Sequence, residues 1–225
     1  RINLLISDVR DNIDFGPQNI NSQSDLETLR KCDGVLVVNW ASNLKGTQLA
    51  KHAFRKSPNA IHFVDPVDID SRRDEFKKDL LKLASFIDVL SLNENECRSL
   101  GKASGFSSLL PPTSYDGNDL KNAAKKLASK FGMSVEIHTS KGASWSDGSE
   151  TSFVSAIKVE ANTLTGAGDS WDAANILAHL LELEPTERLL FSNAYSALYV
   201  MSSDREPATL NKLLKFIKQE YKSLK

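Results

Sequence analysis

Apolar runs typical of β-strands alternate along this chain with amphipathic runs typical of helices, and this alternation constrains the fold most. The strand-like runs are residues 2–7, 34–40, 60–66, 86–93 and 133–140. Apolar residues at three- and four-residue spacing predict helices at 43–56, 72–84, 94–101 and 118–131. Repetition of this kind favours right-handed βαβ units, and therefore an α/β fold with a mostly parallel central sheet flanked by helices.

The pattern changes in the second half of the chain. Residues 144–159 alternate with a period of two around Asp147-Gly148, which predicts a β-hairpin. Three further helices are predicted at 168–183, 186–202 and 207–223. The stretch 104–118 is rich in glycine and proline and is expected to be a loop.

Composition argues against several classes of partner. The formal net charge is −1 and the sequence pI is about 6.5, so bulk charge favours neither nucleic acid nor an acidic membrane surface. No apolar run approaches the ~20 residues that span a bilayer. Cys32 and Cys97 form neither a metal-binding pattern nor a disulfide framework, which is typical of a reducing compartment. We therefore expect a cytoplasmic protein without nucleic-acid or membrane partners.

The segment TGAGDSW, residues 165–171, combines a glycine turn with an acid at the start of a predicted helix. Gly166 and Gly168 allow positive φ angles, and the free N–H groups of a helix start form a site for anions such as phosphate. Asp169 has two interpretations. It either favours the helix dipole, or it serves as a general base that removes a proton from an attacking hydroxyl group.

The segment NENE, residues 93–96, follows a predicted strand and opens a predicted helix. If the sheet is parallel, Asn93 and Glu96 lie at the same edge as the glycine turn. Their oxygen atoms are ligands that Mg²⁺ prefers. A capping box, with Asn93 as N-cap and Glu96 at the third helical position, explains the same residues, and both interpretations can hold together.

These two motifs together resemble the glycine-rich signature and the Asn-Glu-x-Glu motif of the ribokinase-like (PfkB) carbohydrate kinases. Their order and spacing match that family. The segment FSNAYSALYV, residues 191–200, is similar to the family helix in which an Asn-Ala pair lies near the adenine. The resemblance covers essentially the whole chain, and the glycine–aspartate motif is its most specific part.

The resemblance implies a ribokinase-like three-layer sandwich that transfers the γ-phosphate of ATP to a hydroxyl group of a sugar or nucleoside. Asp169 would be the catalytic base. The backbone of Gly166, Ala167 and Gly168 would form the anion hole, and Glu96 would act on Mg²⁺ through water.

The resemblance also implies a set of nucleotide contacts. Asn93 would lie near the phosphates and Asn193 near the adenine. The segment IHTSKGA, residues 137–143, matches the family segment that passes along the nucleotide. Its candidate contacts are Thr139, Ser140, Lys141 and Gly142.

Some residues depart from the family pattern. Thr163 and Leu164 stand where the family usually has Asp and Thr, so a monovalent cation site is not expected. No Gly-Gly pair of the family's sugar-binding turn is present. We therefore expect residues 1–225 to form a single ribokinase-like domain that lacks the family's N-terminal sugar-binding and lid segment. Because family lids often pair, a homodimer is compatible with the resemblance.

Two other functions stay open at this point. The chain could be a non-catalytic module that binds a nucleotide or phosphate, or a different phosphate-handling α/β enzyme. Several other polar residues have ordinary structural explanations: Asp172 in the first turn of a helix, Arg72 at a solvated helix start, and His138 in the core or at a sheet edge.

Overall fold

The computed structural model describes residues 12–106, 109–203 and 206–223. The predicted strand 2–7 lies outside the described residues. The helices are α1 (Gln23–Lys31), α2 (Gly46–Lys56), α3 (Arg73–Leu83), α4 (Glu94–Ala103), α5 (Gly117–Phe131), α6 (Ala167–Leu180), α7 (Pro185–Met201) and α8 (Leu210–Ser223). The strands are β1 (Gly34–Val38), β2 (Ile61–Asp65), β3 (Val89–Asn93), β4 (Ser134–Thr139), β5 (Gly142–Ser146) and β6 (Thr151–Ser155).

The six described strands form one sheet in chain order, from β1 to β6. Strands β1 to β4 are parallel to one another. Strand β5 pairs antiparallel with both β4 and β6. This confirms the mostly parallel sheet and the hairpin, which turns at Asp147-Gly148 with Gly148 at a φ of +98°. In the described parts of 104–116 there is neither helix nor strand, as the loop prediction requires.

Local sequence explains where the helices begin and end. The side chain of Asp116 accepts hydrogen bonds from the amides of Asn118 and Asp119, which caps the start of α5. The same helix ends at Gly132, whose φ of +70° gives the left-handed conformation of a C-terminal glycine cap. Such caps satisfy backbone groups that the helix itself leaves unpaired.

Hydrophobic cores lie on both faces of the sheet. The larger core packs α2 to α5 against alternate strand residues, among them Leu90 and Leu92 of β3. On the other face, α6, α7 and α8 meet in a smaller core that includes Ala178 and Leu198. Alternation along a strand sends Ser91, between the two leucines, toward this second face. The result is a three-layer α/β architecture, as predicted.

Within the described residues, no helix is both long enough and apolar enough to cross a membrane.

Candidate active site

The glycine turn opens α6 in the conformation that its sequence predicts. Gly166 is the N-cap residue with a φ of +86°, and a Cβ atom at this position would lie 2.5 Å from the hydroxyl oxygen of Tyr199. That hydroxyl donates to the carbonyl of Thr165 at 3.2 Å. The turn is therefore fixed from α7, and only glycine fits at position 166.

The first turn of α6 presents free backbone donors. The amide of Ala167 donates to the carbonyl of Leu164 at 3.2 Å, so it is already used inside the protein. The amides of Gly168 and Asp169 donate to no other group in the described part of the chain. An anion at this helix start would therefore meet the amides of Gly168 and Asp169. Of the residues predicted to form the anion hole, Gly166 and Gly168 keep free amides within the described residues, whereas the Ala167 amide is used.

Asp169 lies at the third position of α6 with its side chain exposed. It makes no capping hydrogen bond, and its neighbour in the helix, Ser170, is buried. The carboxylate is therefore accessible beside the free amides. This placement is compatible with both interpretations of Asp169, because the helix dipole and a substrate hydroxyl group could each use it.

Asn93 and Glu96 form the predicted capping box at the junction of β3 and α4. The Asn93 side chain accepts hydrogen bonds from the amides of Asn95 and Glu96, at 2.9 and 3.0 Å. In return, Glu96 Oε2 accepts from the Asn93 amide at 2.8 Å. Glu96 is only 2% exposed. The structural interpretation of this motif is thus confirmed, and the role of Glu96 toward Mg²⁺ stays a prediction.

Burial changes the acidity of Glu96 and of a neighbouring carboxyl group. Burial, with the nearby charge of Asp65, raises the pKa of Glu96 to about 8. Burial, with Asp172 beside it, raises the pKa of Asp65 to about 7. Both values lie far above those of exposed acids, because the charged form has lost its water and faces other carboxylates.

These raised pKa values predict an unusual dependence of stability on pH. The same acids ionise near pH 4 in the unfolded chain, so between about pH 4 and 8 the folded state binds more protons. The free energy of unfolding should therefore fall as the pH rises, by several kcal/mol from pH 5 to 8 in Mg²⁺-free buffer. Urea denaturation at several pH values measures this, and Glu96→Gln should flatten the slope. An identical slope in the variant would show that Glu96 titrates normally.

The structure adds two carboxyl groups to the site and corrects one explanation. Asp65 ends β2 and is 6% exposed, and Asp172 of α6 is 3% exposed. Asp172 Oδ1 accepts a hydrogen bond of 2.6 Å from Ser91 Oγ. A surface acid that only favours the helix dipole, as the sequence suggested for Asp172, would be solvated. Asp172 instead packs between α6 and the sheet.

A cleft of about 770 Å³ runs from the start of α6 between β4, α7 and the segment after β6. Of the residues predicted to bind the nucleotide or its phosphates, the cleft is lined by Asn93, Thr139, Ser140, Ala167, Gly168 and Asn193. Apolar side chains form much of the remaining wall: Ile157, Val159, Leu164, Trp171, Ala197 and Val200. The predicted residues outside this lining are Glu96, Lys141, Gly142, Gly166 and Asp169. The cleft therefore has the start of α6, with the free amide of Gly168, at one end and an apolar wall beside it.

The β4–β5 turn is held by its own side chains. Thr139 Oγ1 donates to the carbonyl of Gly142 at 2.9 Å and accepts from the amide of Lys141 at 3.1 Å. The Lys141 ammonium group donates to the carbonyl of Tyr115 at 2.8 Å and lies over the Tyr115 ring. Lys141 is therefore bound to the protein rather than directed into the cleft, and its nucleotide contact stays a prediction.

Asn193 shapes the wall of the cleft. Its side-chain oxygen accepts from Trp171 Nε1 at 2.9 Å, and its side-chain nitrogen donates to the carbonyls of Val154 and Ser155. The Trp171 ring stacks on His138 with centroids 5.0 Å apart. The sequence placed His138 beside the proposed site, although a position in the core or at an edge was the favoured explanation. It lines the cleft beside Gly168, where a Cβ atom would lie 3.4 Å from His138 Cε1.

Arg72 has a role that the sequence did not predict. Its guanidinium group donates to the carbonyls of Trp40, Ala41 and Asn43 and lies 4.2 Å from the centre of the Trp40 ring. It therefore fixes the chain that follows β1, and it is neither a solvated helix start nor a contact of this cleft.

Fold and site define the class to which the protein belongs: an α/β protein with a ribokinase-like sheet and a glycine turn at the carboxyl edge of its parallel strands. A model described as pfkB family carbohydrate kinase matches residues 18–208. The chain belongs to this family. No match was found among curated proteins.

Solved kinases share this fold. The chain is similar to an Arabidopsis thaliana ribokinase complexed with ribose and ATP, at 25% identity and a TM-score of 0.69, covering 92% of this chain and 62% of that one. An E. coli protein described as a ribokinase II, in complex with ATP and Mg²⁺, is 21% identical with a TM-score of 0.65, and the match covers 86% of this chain and 61% of that one. An adenosine kinase from Sinorhizobium meliloti is 17% identical with a TM-score of 0.67, and the match covers 92% of this chain and 58% of that one. The chain thus spans about three fifths of the length of these kinases.

Proposed function

We propose that this chain provides the nucleotide-binding and phosphoryl-transfer part of an ATP-dependent sugar or nucleoside kinase. The observation that carries the proposal is the cleft, because its lining joins Gly168, whose amide is free and is followed in the helix by the free amide of Asp169, to an apolar wall. The amides suit the phosphates of a nucleotide and the wall suits its base. Membership of the pfkB family and the ATP bound in solved relatives support this choice.

Asp169 is proposed as the catalytic base. Its exposed carboxylate takes the proton from an acceptor hydroxyl group, and the oxygen attacks the γ-phosphorus of ATP, whose bond to the β-phosphate oxygen breaks so that ADP leaves. The amides of Gly168 and Asp169 stabilise negative charge on the transferred phosphoryl group, and the positive end of the α6 dipole adds to this effect. The geometry needed is a hydroxyl group within hydrogen-bond reach of Asp169.

The site also suits Mg²⁺, which would neutralise phosphate charge during transfer. Among the described residues, no group of three His, Cys, Asp or Glu side chains is arranged to hold a metal ion. Mg²⁺ commonly keeps several waters and binds through one or two carboxylates and the substrate phosphates. Glu96 fits such a role, because its buried carboxyl group retains unused lone pairs beside Asp65. No monovalent cation is included, in keeping with Thr163 and Leu164.

The acceptor site is proposed to need polypeptide outside residues 1–225. The chain spans about three fifths of its solved relatives, and no Gly-Gly turn is present in it. The relatives include a ribokinase with bound ribose and an adenosine kinase, which is why the acceptor is proposed as a sugar or nucleoside. The same shortness favours a second candidate function for the chain as it stands, a nucleotide-binding module without turnover.

Calorimetric titration of the full-length protein with Mg·ATP, followed by an ATP-consumption assay over a panel of sugars and nucleosides, tests the proposal. We expect a dissociation constant below about 1 mM, the usual range for such substrates. Turnover with one class of acceptor would support the kinase, and binding without turnover would support the module. Absence of Mg·ATP binding would contradict both, and phosphate release from a sugar phosphate would favour a different enzyme.

A further inference from the structure

Helix α6 faces the sheet with polar side chains. Asp172, Asn175 and His179, at helical spacing, contact Ser91 and Glu136 on the strands beneath. Parallel sheets are normally covered by apolar side chains on both faces, so a polar row at this place needs an explanation. The end of the row that lies next to the glycine turn is Asp172.

Asp172 connects three elements of the site. Ser91, which donates to its Oδ1 at 2.6 Å, lies on β3 two residues before Asn93. Its other oxygen, Oδ2, is buried and accepts from no N–H group or hydroxyl in the described residues. The carboxyl group of Asp65, at the end of β2, lies beside Asp172, and burial together with the negative charge of Asp172 raises the pKa of Asp65. Asp172 thus bonds the first turns of α6 to β3 and lies beside the end of β2.

Other charged groups surround this junction. Glu96 of α4 and Glu136 of β4 repel the negative charge of Asp172. His138 of β4 interacts with Asp65 and with Asp169. A buried carboxylate beside other carboxyl groups lowers the free energy of unfolding, and an apolar side chain at the same position would lower it less. A requirement other than packing is therefore the better explanation for an acid at position 172.

We propose that Asp172 is a positioning residue that holds the free amides of α6 in place relative to Asn93 and Glu96. It lies three residues after Asp169, about 4.5 Å along the helix axis. A shift of the helix start by about 1 Å is enough to reduce phosphoryl transfer a hundredfold. This inference rests on the proposed function, because it links the phosphate-binding amides of α6 to Asn93 and Glu96 of the same site.

The test compares variants at the link with a variant one turn further along the same helix. Asp172→Ala and Ser91→Ala remove the link, whereas Asp172→Asn can still accept from Ser91 and donate to Asp65. Asn175→Ala is the matched control, because Asn175 also makes a buried side-chain hydrogen bond to the sheet, through Glu136. Each variant is measured at a temperature at which it is fully folded.

With Mg·ATP and an acceptor from the panel, Asp172→Ala should lower kcat by at least about tenfold with a smaller effect on KM. Asp172→Asn should stay within about threefold of the wild type. Asn175→Ala should lower Tm without changing kcat. Retention of kcat by Asp172→Ala, with only a lower Tm, would reduce Asp172 to a packing residue. An equal loss in Asp172→Asn would show that the charge itself is used, and would also overturn the positioning role.

A second measurement separates this inference from the proposed function. The amide of Ser170 donates to the carbonyl of Gly166 at 2.9 Å, and its hydrogen exchange reports on the first turn of α6 without any substrate. Exchange at Ser170 should accelerate at least about tenfold in Asp172→Ala and stay unchanged in Asn175→Ala. If the wild type binds no Mg·ATP, the proposed function fails while this result still decides the positioning role. Unchanged exchange in Asp172→Ala would overturn that role.

Discussion

Asp169→Asn is expected to lower turnover by at least about a hundredfold while leaving Mg·ATP affinity nearly unchanged. Asparagine has almost the shape of aspartate but cannot accept the proton of an acceptor hydroxyl group. The amides of Gly168 and Asp169 still face the phosphates, so nucleotide binding should persist. Steady-state kinetics with the acceptor found in the panel, together with calorimetric titration of Mg·ATP, measures both effects.

Asp119→Asn is the matched control for this experiment. Asp119 occupies the third position of α5, as Asp169 does in α6, and both acids favour the dipole of their helix. Asp119 in addition accepts a hydrogen bond of 3.0 Å from the amide of Asp116, so its substitution should cost more stability than that of Asp169. If Asp169 served only the helix dipole, both substitutions would cost stability and neither would change turnover. Full turnover by Asp169→Asn would therefore contradict the base assignment, and weakened Mg·ATP binding would show that the carboxylate also orients the nucleotide.

Much of the sheet was predictable because buried parallel strands have a strong local signature. GVLVV of β1 and VLSLN of β3 are short apolar runs between helical patterns, and both form strands as expected. Strand β3 is buried within the sheet, whereas β1 lies at the edge of the described sheet with Leu36 and Val38 exposed. Asp147-Gly148 likewise predicted the antiparallel hairpin of β5 and β6. In each case the signal lies within a few consecutive residues, so no knowledge of distant contacts is needed.

Helix α6 shows what such local reasoning misses. Leu177, Leu180 and Leu181 belong to the apolar period of its sequence, yet their side chains are 45%, 39% and 54% exposed. Asp172 and Asn175 are buried in their place. Periodicity identifies an apolar face without showing what covers it. The partners of the buried acid, Ser91 and Asp65, lie far away in sequence and meet it only through the sheet.

The site was predicted in part for the same reason. Asn93 and Gly168 line one cleft, as the motifs implied, because each motif lies at a strand end or helix start that the fold brings to one edge. The use of the Ala167 amide and the binding of Lys141 to Tyr115 depend on contacts outside the motifs. A motif specifies local backbone geometry, whereas the accessibility of its groups depends on the surrounding chain.

Gly142→Ala is expected to lower the free energy of unfolding by about 3 kcal/mol or more. Gly142 has a φ of +148°, and a Cβ atom there would lie 2.4 Å from the carbonyl oxygen of Val154 and 2.8 Å from the Phe153 ring. The oxygen belongs to the backbone of the neighbouring strand β6, so relief requires β5 and β6 to separate. Urea denaturation gives the loss directly, and it needs no assumption about the nucleotide.

Gly132→Ala separates the backbone cost from the steric cost. Gly132 also has a positive φ, +70°, but nothing lies within 4 Å of its added Cβ atom. This variant should lose only about 1 kcal/mol, the cost of a left-handed conformation for alanine. The difference between the two variants then measures the contact of β5 with β6. Equal losses would mean that the strands separate freely at this point, and that the β4–β5 turn beside the cleft is less firmly fixed than its hydrogen bonds indicate.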